Sequence, residues 1–71
     1  MTVELMHEFK VVTGWTEYEI DAAVSKLNCS YSDALHFYKR FARLPNLGEQ
    51  KIINEFGIKP LFSLINPVFQ N

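Results

Sequence analysis

Seventy-one residues, of which 48% are hydrophobic and 14% aromatic, make a small globular chain rather than a disordered one. Seven Lys and Arg against eight Asp and Glu leave a net charge of −1, which is not the basic balance that nucleic-acid binding usually requires. The single cysteine, Cys29, excludes an internal disulfide and, without clustered partners, a cysteine-based zinc site.

The apolar spacing is helical throughout. Thr2 is placed to cap a first helix whose stripe is Leu5, Phe9 and Val12, at i, i+4 and i+7. It ends near Thr13-Gly14, where Gly14 can take the left-handed conformation that closes a helix at little cost. Thr16-Glu17-Tyr18-Glu19 then reads as a capping box, with Trp15 before the cap and Ile20 four positions after it at hydrophobic-staple spacing. Glu17, Glu19 and Asp21 put negative charge at the positive end of the helix dipole. Ile20, Val24 and Leu27 form the buried stripe of this second helix, and Asn28 ends it.

A second box, Ser30 to Asp33, opens a third helix that the pattern carries to about Leu44. Tyr31, Ala34, Leu35, Tyr38 and Ala42 make one face; Phe37, Phe41 and Leu44 make another. A helix apolar on two sides is buried on both, or buried on one and available on the other. Lys39, Arg40 and Arg43 complement the dipole at its end. After Pro45, Asn46 with Glu49 signals a fourth helix through Ile52, Ile53 and Phe56, stopped by Gly57. Pro60 is expected as the first residue of a last short helix through Ile65, ended by Asn66-Pro67, with Val68 to Asn71 docking behind it.

The order helix, Thr-Gly turn, helix, short loop, helix gives the stretch from Phe9 to Tyr38 a family likeness. Phe9-Lys10-Val11-Val12-Thr13-Gly14, the apolar positions Ile20, Val24 and Leu27, and then Tyr31, Ala34-Leu35 and Phe37-Tyr38 resemble ubiquitin-associated (UBA-like) domains, particularly those of UBX-type adaptors. The resemblance implies a compact all-α, three-helix core at about residues 2–44, with one or two short helices in an extension at about 46–71 of one domain. It also implies a protein partner, ubiquitin among the candidates, approached through the first loop and the end of the third helix. Here those places read Thr13-Gly14-Trp15 and Tyr38-Lys39.

Two readings of function follow. In the first the chain is a non-catalytic protein-interaction module that presents Gly14, Trp15, Phe37, Tyr38 and Phe41. The competing account of Trp15 is the staple, and that of Phe37 and Phe41 is cover by residues 47–69 folding back. The alternative is a helix-turn-helix DNA-binding domain with residues 31–43 as recognition helix and Ser32, His36, Lys39, Arg40 and Arg43 reaching groove and phosphates. The acidic balance and Asp33 near the start of that helix weigh against it. Self-association through Leu61 to Phe69 is a third possibility. No Gly-rich phosphate loop, nucleophile elbow or His-Glu metal pattern is present, so neither enzyme activity, cofactor nor metal is expected. No apolar run reaches the roughly 20 residues that cross a bilayer, and the first residues do not read as a signal peptide, so a cytoplasmic location is expected.

Overall fold

Four of the helices begin where a short polar side chain caps the first turn. In the computed structural model, which describes residues 2–65, Thr2, Thr16, Ser30 and Asn46 each accept a hydrogen bond from the backbone N–H three residues on, at 2.8–3.1 Å. They open α1 (Val3–Thr13), α2 (Glu17–Val24), α3 (Tyr31–Phe41) and α4 (Leu47–Phe56), and α5 (Ile58–Ile65) follows after Gly57 alone. The boxes at Thr16–Glu19 and Asn46–Glu49 are reciprocal, whereas Asp33 only donates its backbone N–H to Ser30. The fold is all-helical among the described residues, and no helix there is long and apolar enough to cross a membrane.

Two apolar clusters share α3. Phe9 of α1, Ile20 and Val24 of α2, and Ala34 and Leu35 of α3 are buried together, with Leu5, Val12, Trp15 and Leu27 packed against them. Phe37 of α3, Ile53 of α4 and Leu61 of α5 form the second cluster, with Phe41, Ile52, Phe62 and Ile65 around it. The two apolar faces of α3 are therefore largely covered from within the chain, although Leu44, expected beside Phe37 and Phe41, packs against the first cluster beyond the helix end and Ala42 is exposed. Cys29 touches both clusters. Burial, and then the nearby Asp33 charge, push its thiol pKa up from the ordinary value.

Several boundaries differ from the sequence expectation. The second helix stops at Val24, not Asn28, and the chain tightens into a turn in which the Leu27 N–H donates to Val24 O at 3.0 Å. Leu27 still reaches the first cluster from that turn. The third helix ends at Phe41 rather than Leu44, with Ala42 left-handed at φ 58°. Pro45 disfavours helix at Leu44, and Arg43 leaves the helix line to meet Glu49. The last helix starts at Ile58, so Pro60 is its third residue; its missing N–H is still one that the first turn leaves unpartnered. Termination at Asn66-Pro67 and docking of Val68 to Asn71 lie outside the described residues, as do residues 66–69 of the Leu61–Phe69 tail.

Candidate functional site

The five residues singled out in the sequence fall in two places. Gly14, Trp15 and Tyr38 meet at the corner between α1 and α2. Gly14 is left-handed at φ 77°, and its N–H closes α1 on Lys10 O at 2.8 Å. The Thr13 hydroxyl donates to Phe9 O at 2.7 Å and accepts from the Trp15 N–H at 3.0 Å, so one side chain ties the end of α1 to the entry of α2. This fixes where the indole goes. Trp15 packs against the first cluster, as a staple does, and also stands edge-on to Tyr38, with ring centroids 5.4 Å apart at 70°. Both rings are half-buried. Among the described residues the indole Nε1 makes no hydrogen bond, and no buried polar side-chain atom is left unsatisfied there.

Phe37 and Phe41 lie on the other side of α3. Phe37 has no accessible surface, so it does not face a partner as expected; the covering by later residues wins at this position. Phe41 stacks on Phe37 at 4.6 Å and meets Phe62 edge-on at 5.7 Å, leaving only part of its ring open. Arg43 lies over the Phe37 and Phe41 rings at 5.0 and 5.7 Å, and Arg40 lies over Phe62 at 4.9 Å. Tyr38 departs from its neighbour Phe37 because successive helix positions turn by about 100°.

The basic residues of the end of the third helix are engaged. Lys39 is ion-paired with Glu8 of α1, and Arg43 holds Glu49 through two hydrogen bonds at 2.9 and 3.0 Å. Glu49 also accepts from the Asn46 N–H at 2.8 Å. The Arg43 hydrogen bonds hold the Glu49 carboxyl below its ordinary range, burial opposing and the Asn46 N–H adding to the effect. A lowered folded pKa means stabilisation that is present above the unfolded value of about 4.3 and is lost as pH falls through the folded one. Replacing Glu49 by Gln is thus expected to cost about 1 kcal/mol at neutral pH, Arg43 being half-exposed, with the gap to the native chain narrowing when the pH is lowered to about 3. Urea unfolding at the two pH values measures it; a gap of equal size at both would mean that charge is not the source.

One residue of consequence carries no motif. Gln50, on the apolar side of α4, is 5% exposed. Its Oε1 accepts from the Asn28 N–H at 2.7 Å and its Nε2 donates to Pro45 O at 2.9 Å, while the Asn54 amide donates to Asn28 O. The available signal was a polar residue three positions before Ile53, on the same stripe.

Around the α1–α2 corner, Val11 and Tyr18 are 69% and 82% exposed, each within four residues of Gly14. The corner therefore combines apolar surface with the carboxylates Glu17, Glu19 and Asp21. Among the described residues no group of three metal-ligating side chains occurs. No family model matches the chain, and no similar curated protein or solved structure is found.

Proposed function

We infer that the chain is a non-catalytic protein-interaction module of UBA-like type, and that it engages its partner at the α1–α2 corner through Gly14, Trp15 and Tyr38, with the open edge of Phe41 outside the main contact. The observation that carries this reading is the Trp15–Tyr38 pair beside the Gly14 turn. An aromatic anchor held by its own packing loses little freedom on binding, and such anchors dominate interface energetics. The helix order, the left-handed Gly14 and the burial of Ala34 between α3 and the first two helices agree with the UBA-like reading. The DNA reading gains no support, since Lys39 and Arg43 are paired with carboxylates and Arg40 lies on a ring.

The test is a two-dimensional NMR titration of labelled protein with mono-ubiquitin. Shifts confined to Gly14, Trp15 and Tyr38 are expected, and Trp15→Ala is expected to weaken binding about tenfold or more with the helical circular dichroism signal retained. An unchanged spectrum at millimolar ubiquitin would reject the UBA-type role.

A further inference from the structure

The end of α3 is held in a state that its own residues do not favour. The apolar pattern carries this helix past Ala42, and alanine is the residue that most favours helix. Yet Ala42 is left-handed, at φ 58° and ψ 30°, and among the described residues it is the one position other than glycine with a positive φ. That backbone state costs a residue with a Cβ a factor of roughly ten in population against the helical one. The restriction from Pro45 falls on Leu44 and leaves Ala42 and Arg43 free to be helical.

What holds Ala42 there comes after the turn. Reversal of the chain at Ala42 brings Arg43 to Glu49 of α4 and seats Leu44 on the first cluster. It also sets α4 and α5 over Phe37 and Phe41 through Ile53, Leu61 and Phe62, with Arg40 on the Phe62 ring. The other polar ties of these two helices to the rest of the fold run to Asn28, from Gln50 and Asn54. Joined by Gly57 alone, α4 and α5 pack on each other more closely than either packs on α3. They form one unit, and the backbone of a single residue aims it.

We propose that Ala42 is a hinge with two settings. In the closed setting, described above, it is left-handed and α4–α5 covers Phe37 and Phe41. In the open and less populated setting, Ala42 and Arg43 join α3 as helix, the chain leaves in a new direction, and α4–α5 comes off the face it covered. Release of the left-handed backbone lowers the cost of opening. The second cluster, the Arg43–Glu49 pair, the Leu44 contact and the Asn28 hydrogen bonds oppose it. The chain thereby carries its own cover for one apolar face of α3, separate from the Trp15–Tyr38 corner on the other.

Amide hydrogen exchange of the full chain, followed by NMR in native conditions, tests this. Helices of ten and eight residues are marginal in water once undocked, so their amides exchange when the cover opens. After correction for intrinsic rates, the amides of Ile53 and Phe62 are expected to exchange about tenfold faster, or more, than those of Phe9 and Val24. One common protection for both sets overturns the proposal, because the chain would then open only as a whole. Ala42→Gly accepts the left-handed state without strain and disfavours helix. It should slow exchange at Ile53 and Phe62 about tenfold, and roughly fivefold more than at Phe9 and Val24. Equal slowing at both sets, or none, overturns the proposal, since Ala42 would then be a strained helix cap and nothing more.

Discussion

Truncating Phe37 to Ala is expected to lower the unfolding free energy by about 3–5 kcal/mol, the range for a large aromatic in a closed core. The ring is wholly enclosed by Ile53, Leu61, Phe41 and Phe62, with Arg43 lying over it. A chain of this size has roughly 4–10 kcal/mol in total, so the variant is expected to lose about a third or more of its stability. Circular dichroism on heating measures this. A variant that melts within a few degrees of the native chain would show the second cluster to be loose, and Phe37 would return to the partner-facing set. Tyr38→Ala is the control on the adjacent face: its ring is half-buried, and the cost should be visibly smaller.

Gln50→Leu has the second large effect, and its cause is polar. Leucine nearly matches the volume and suits the apolar stripe of α4, so packing alone predicts a neutral or favourable change. The substitution instead leaves the Asn28 N–H and the buried Pro45 carbonyl without partners. Each such group costs about 1–3 kcal/mol, and the exposure of Asn28 lets water recover part of it, so the sum is roughly 2–4 kcal/mol. In a chain this short that lowers the melting temperature by roughly 10–25 °C. Thermal melting compared with Gln50→Glu separates the two contacts: glutamate keeps the acceptor for Asn28 and loses the donor to Pro45. A Leu variant as stable as the native chain would mean that packing outweighs both hydrogen bonds.

Gln50 also marks where sequence reading stopped. The helix starts are legible in the sequence, because a cap is a local transaction between residues three apart, as at Thr2, Thr16, Ser30 and Asn46. Helix ends were less so. After Val24 the chain is held by a partner far along it, Gln50 accepting from Asn28 22 residues away, which a window of neighbours does not contain; the stop at Phe41 lies near the local signal of Pro45. The two apolar faces of α3 were visible as periodicity, but their meaning depended on what residues after Pro45 do in space. The same ambiguity divided the candidate site. Tyr38 and Phe37 adjoin in sequence and look equally available, yet one borders the corner with Trp15 and the other closes the second cluster.

The connection between α4 and α5 is Gly57 alone, at φ 100° and ψ 167°, a backbone state that side chains other than hydrogen rarely adopt. A link of one residue has no slack. A residue inserted in the first turn of α5 would turn every later position by about 100° about the helix axis, carrying Leu61 away from Phe37 and Ile53. Chain length between Gly57 and Leu61 is therefore as strict a requirement as side-chain identity, and this short segment should tolerate substitution at its exposed positions far better than any change in the number of its residues.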